Sequence, residues 1–137
     1  MRIILKILLL LIYNGTLLSQ SEDELINQTL IDYIEGSTNG QPDRLKKVFY
    51  DDLNLYYIKN DSISVWSGAA YIADTKEGKP TGEKGKVLLI DYEHNAAMAK
   101  VEISHPNSPK PYIDYFMLLK SEGSWKIIHK MFTKRKD

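Results

Sequence analysis

No cysteine occurs in the 137 residues, which excludes disulfide staples, thiolate nucleophiles, lipid attachment at Cys and zinc sites built on Cys. Net charge is missing too. Eighteen Lys and Arg balance eighteen Asp and Glu, so the electrostatic footprint of a duplex-binding protein is absent and no nucleic-acid partner is expected. Histidine is scarce. His94 and His105 lie in predicted turns, and neither they nor His129 stand at metal-ligand spacing with acids, so no metal is expected. There is no GxSxG, no P-loop and no GxGxxG, and no cofactor is expected. No apolar run reaches the roughly 20 residues that span a bilayer.

What is present is a globular composition, 43% apolar and 26% charged. A chain of this length makes one domain with a sizeable core. Its start reads MRIILKILLLLIYNGTLLS: Arg2 and Lys6 precede the apolar stretch Ile7 to Tyr13, and Asn14, Gly15 and Thr16 break it. A charged region, a short apolar run and a small-residue end predict a signal peptide over 1–19, with cleavage after Ser19. Export to a periplasm or the outside follows, with the domain over 20–137 and no membrane association after cleavage. Removing Arg2 and Lys6 leaves a small acidic excess.

Ser21-Glu22-Asp23-Glu24 is a capping box, and Ile26, Leu30, Tyr33 and Ile34 recur behind it at helical spacing, predicting an amphipathic helix ending near Gly36. Residues 37–41 break it. Pro42 then opens a short second helix that turns Leu45, Val48 and Phe49 inward. From Asp52 the period becomes two, with Leu53, Leu55 and Tyr57 on one face, and Ile63 to Trp66 follows the Asn60-Asp61 turn. Ser67 to Ala73 makes one or two helical turns. Thr75 to Gly85 is a polar loop rich in glycine, a flap for any opening in the sheet. Four strand-length runs close the chain: Lys86 to Tyr92, Ala96 to Ser104, Tyr112 to Lys120 and Trp125 to Thr133. Their short connections require antiparallel neighbours. The fold class is therefore α+β, two to three N-terminal helices packed on a curved antiparallel sheet. Tyr112 to Leu119 is apolar on both alternating faces. The helices cover only one of them, which predicts a homodimer through the outer sheet face.

Two residues in the last hairpin could carry chemistry. Asp114 is the carboxylate inside the most apolar strand, and His129 is the histidine inside a predicted strand. Pairing Lys120 with Trp125 would make Asp114 and His129 diagonal neighbours about 7–8 Å apart at the backbone. A carboxylate orienting an imidazole is a proton-transfer site in outline. A bulge at Gly123 would instead slip the register and part them, leaving Asp114 as a local cap and His129 as a half-exposed strand residue. Tyr33, Phe49, Tyr57, Trp66, Tyr71, Phe116 and Trp125 supply large aromatic surfaces. These form a core, or else wall a half-wet pocket for a flat organic ligand.

The order of elements resembles the cone-shaped NTF2-like fold of ketosteroid isomerase, scytalone dehydratase and SnoaL-type cyclases. Leu30 to Gly36, Leu45 to Phe49, Ala96 to Val101 and above all Tyr112 to Lys120 with Gly123 to Lys130 look like its putative lumazine-binding branch. The resemblance implies a pocket between sheet and helices and, often, a dimer. It implies no reaction, because one fold hosts many functions. The leading expectation is an exported, non-catalytic small-molecule-binding domain. The alternatives are a cofactor-free isomerase, cyclase or dehydratase using His129 and Asp114, and an oligomerising interaction module with a filled cone.

Overall fold

The computed structural model describes residues 19–136; the segment read as an export signal lies, except for Ser19, outside the described residues. The capping box forms as expected: the Glu24 amide donates to Ser21 Oγ and the Ser21 amide to the Glu24 carboxylate, each at 3.2 Å. It starts helix α1 (Glu22–Thr38), which buries Ile26, Leu30, Tyr33 and Ile34. The helix runs two residues past Gly36. That glycine is a contact rather than a stop, since a Cβ there would stand 2.9 Å from Leu45 Cγ on helix α2 (Pro42–Val48). Arg44 and Lys47 of α2 reach back to the buried Asp32 at 2.8 and 3.1 Å. Burial alone would raise the Asp32 carboxyl, but hydrogen bonds from Arg44 and Lys47 outweigh it and hold the group below its ordinary value.

Six strands follow or flank a third short helix: β1 (Phe49–Lys59), β2 (Ser62–Ser67), α3 (Gly68–Asp74), β3 (Lys84–Glu93), β4 (Ala96–Ser104), β5 (Tyr112–Ser121) and β6 (Ser124–Lys134). They make one open, curved sheet in the order β2-β1-β6-β5-β4-β3. Every pairing is antiparallel except one, β1 with β6, which is parallel. The expected all-antiparallel sheet is therefore mixed. The rule that short turns force antiparallel neighbours applies to strands joined by turns, and residues 60–123, with four other strands and a helix, separate β1 from β6.

Register shifts interrupt β1 against β6, β3 against β4, and β5 against β6. Such bulges bend strands and tighten twist, and here they accompany a sheet curved around α1. The core is shared by α1, α2 and the concave face, with Leu53, Leu55, Val101, Leu118 and Ile127 at its centre.

The segment between α3 and β3, expected as a loose flap, is strapped down. Gly78 donates its amide to the Gly40 carbonyl and Thr81 to the Thr38 carbonyl, both at 2.8 Å. Gly40 has φ of +65°, and a Cβ there would meet the Lys76 carbonyl oxygen at 2.3 Å. Only a residue without a side chain turns the α1–α2 corner and admits the strap.

Candidate functional site

The site is set by one extra residue in β6. Lys120 pairs with Trp125, as the sequence predicts. Ser121 and Ser124 close a tight turn through Glu122 and Gly123, both at positive φ (50° and 77°). Leu118 then faces Ile127, but Met117 faces His129, so Ile128 is the unpaired residue of a bulge. Before the bulge, odd residues (Trp125, Ile127) point into the concave core; after it, Lys130 does. Parity has flipped.

Two expectations change in consequence. Asp114 and His129 are not diagonal neighbours. Asp114 is buried beneath the helices and pairs with Phe132, whereas His129 is set beside exposed Met117 and stacks on Tyr56 with ring centroids 4.9 Å apart. The slip arises at Ile128, five residues from the glycine suspected of it. The residue that meets Asp114 is Lys130. Its Nζ lies 3.0 Å from Asp114 Oδ2, with side-chain exposures of 5% and 3%, and it donates to Tyr33 Oη at 2.5 Å. Tyr33 in turn donates to Asp114 Oδ2 at 2.7 Å. Burial, and then the Asp114 charge, push the Tyr33 hydroxyl well above the ordinary tyrosine range, so it keeps its proton.

Around the Lys130 ammonium stand four rings, that of Tyr33 among them. Lys130 Nζ is 4.9 Å from the centroid of Tyr33, 5.0 Å from Phe132, 5.3 Å from Tyr71 and 5.9 Å from Phe116. Each such contact with a desolvated cation contributes up to about 2 kcal/mol. Tyr33 also packs edge-on against Phe116 (4.8 Å) and faces Phe49 (6.0 Å), and Phe49 reaches Tyr71 (6.0 Å). The deep cone is therefore occupied by its own side chains.

Of the seven aromatic residues singled out in the sequence, Tyr33, Phe49, Tyr71 and Phe116 gather here, and Trp66 joins through an edge contact with Tyr71 at 4.9 Å. Tyr57 touches the group through Phe132, on which it stacks at 5.0 Å. Trp125 does not belong. Its indole Nε1 donates to Glu22 at 2.8 Å, alongside Lys120 on the same carboxylate, and ties the start of α1 to the β5–β6 turn. Lys130, Phe132 and Ser37, whose Oγ accepts from Tyr71 Oη at 3.0 Å, escaped sequence reasoning. A lysine in an apolar strand was the available signal for Lys130, but alternation placed it outside.

Space begins at the rim. A hollow of about 330 Å³ is lined by Ser37, Trp66, Tyr71, Thr75, Pro80 and Thr81 among others. Tyr71 is thus shared: one part of its surface borders this hollow and its ring borders the Lys130 ammonium. On the outer face a second, largely apolar hollow of about 600 Å³ lies over Tyr56, Ile58, Ile63, Tyr115, His129 and Met131.

A bent sheet wrapped around a long helix gives this chain the NTF2-like fold. A NTF-2-like protein from Silicibacter pomeroyi is similar with a TM-score of 0.72 at 20% identity, over 85% of this chain and all of the other. One from Shewanella baltica is similar with a TM-score of 0.71 at 20% identity, over 87% and 100%. The chain belongs to the family described as putative lumazine-binding, whose pattern matches residues 21–133. Among characterised proteins it is similar to aldolase FrzH of Cladobotryum sp, 28% identical over 122 residues, covering 84% of this chain and 93% of that one.

Proposed function

We propose that the protein is an exported, non-catalytic domain that binds a small, flat organic molecule at the mouth of its cone. One observation carries this reading: the rim hollow of about 330 Å³ lies against Trp66 and Tyr71, with the hydroxyls of Ser37 and Thr81 close by. Two aromatic side chains beside hydroxyls and the charged Asp74, Lys76, Lys79 and Glu83, at the low end of ligand-pocket volume, suit a planar heterocycle with polar edges. The filled deep cone favours the interaction-module reading, but a filled core leaves the rim unaccounted for. Membership of the putative lumazine-binding family supports a small ligand. Export rests on the charged and apolar N-terminal run, and a homodimer on the outer sheet face.

The test is a thermal-shift screen of the mature chain against flat heteroaromatic compounds. Binders at a hundredfold excess over Kd should add about 2.7 kcal/mol of stability, and Trp66→Ala should abolish the shift. No shift across the library at high excess would overturn the reading.

A second reading is favoured by the likeness to an aldolase. In it the protein is a cofactor-free cyclase, isomerase or lyase, and Asp114, oriented by Tyr33 and Lys130, takes the proton α to a carbonyl. His129 lies on the opposite side of the sheet from Asp114 and cannot share that step.

A further inference from the structure

We infer that Lys130 is a covalent anchor for a carbonyl compound, an aldehyde or ketone, and that Tyr71 is the gate between it and the rim. The inference rests on the rim being a ligand site and names the class of ligand that goes deepest into it. Three observations converge. The amine is enclosed, with its side chain 5% exposed, and Lys130 is the one buried lysine among the described residues. A carboxylate and a protonated phenol both stand within hydrogen-bond distance of the same nitrogen or of each other. And a single side chain, Tyr71, is common to the amine's surroundings and to the rim hollow, hydrogen-bonded to Ser37 at 3.0 Å and packed against Trp66 and Phe49. A ligand passing from the hollow to Nζ would have to turn that ring aside.

The chemistry balances without any other reagent. Lys130 passes one ammonium proton to the Asp114 carboxylate, and the neutral nitrogen attacks the carbonyl carbon. The new N–C bond forms as the C=O π bond opens, with the oxygen protonated from Asp114 and the nitrogen proton returned to Asp114. Loss of that oxygen as water, using the proton held on Asp114, leaves a protonated Schiff base. An ammonium and a carbonyl thus become an iminium and a water, and the charge at the nitrogen is unchanged. This makes the site suited to the product. The iminium keeps Asp114 as counter-ion, and the rings of Tyr33, Tyr71, Phe116 and Phe132 still face a cation.

The experiment uses the mature chain with benzaldehyde and cinnamaldehyde as probes, reduction by sodium cyanoborohydride, and peptide mapping. The expected result is a saturable adduct on Lys130, formed before adducts on the exposed Lys46 and Lys47. Lys130→Arg, which keeps the charge, should lose that one adduct and no other, and Tyr71→Ala should speed its formation severalfold. Adducts confined to surface lysines in the wild-type chain overturn the inference, whether or not the Lys130 variant folds. The outcomes separate it from the binding reading. Melting-temperature shifts with heteroaromatics that lack a carbonyl, and no Lys130 adduct, retain binding and reject the anchor. An adduct without any such shift retains the anchor and rejects non-carbonyl binding.

Discussion

Lys130 and Asp114 are charges placed where a core would ordinarily be apolar. Desolvating two ions costs several kcal/mol each, and their attraction only roughly repays it when the remaining hydrogen bonds are made. Here Tyr33 bridges the pair, and among the described residues no buried side-chain polar atom lacks a partner. The pair is thus tolerated rather than strongly stabilising. Asp114→Ala should cost about 3–5 kcal/mol in urea unfolding, since it strands the ammonium. The double replacement Asp114→Leu with Lys130→Met should recover most of that loss. A double variant as unstable as the single one would mean the ion pair itself holds the fold. The sequence exposed Asp114 as anomalous, because a carboxylate in an apolar strand needs a partner. It did not reveal the partner, because Ile128 adds a residue that alternation cannot anticipate.

At the scale of elements, α1 was the most legible piece. Its capping box and helical spacing are local, and the helix forms where they place it, two residues longer at the end. The strands of the C-terminal meander were legible for the same reason, each being bounded by its own turn. The strap was not. Its glycines marked a loop, yet what holds it is a pair of backbone hydrogen bonds to the α1–α2 corner. Gly40 is where this can be tested. Gly40→Ala places a Cβ at positive φ against the Lys76 carbonyl, and should destabilise the protein by more than the roughly 1 kcal/mol of a left-handed alanine alone. Hydrogen exchange should rise at the Gly78 and Thr81 amides, which donate across this contact. Unchanged protection there would show that the strap is held elsewhere.

For the whole molecule, the outer sheet face is the unfinished surface. Tyr115, Met117 and Leu119 of β5, Met98 of β4, Met131 of β6 and Ile58 and Ile63 at the β1–β2 end are each between 39% and 77% exposed. Monomeric proteins seldom leave so broad an apolar face in water. The concave side is already covered by the helices, so a second copy stacked on this face is the arrangement we propose. Light scattering on residues 20–137 should give twice the monomer mass. Met117→Lys, which puts a charge at the centre of the face without touching the core, should give the monomer with its fold intact. A monomeric wild-type chain at high micromolar concentration would reject the dimer.

The sequence by itself determined the local pieces: the cap, the periods, the turns, the family pattern and the presence of a stranded carboxylate. Those depend on residues within a few positions of one another. The tertiary structure decided which faces meet. The parallel β1–β6 pairing, the position of Trp125 at the start of α1 and the exchange of His129 for Lys130 beside Asp114 all follow from long-range register. A single unpaired residue turns every side chain beyond it to the other face of the sheet, and nothing in its own neighbourhood announces it.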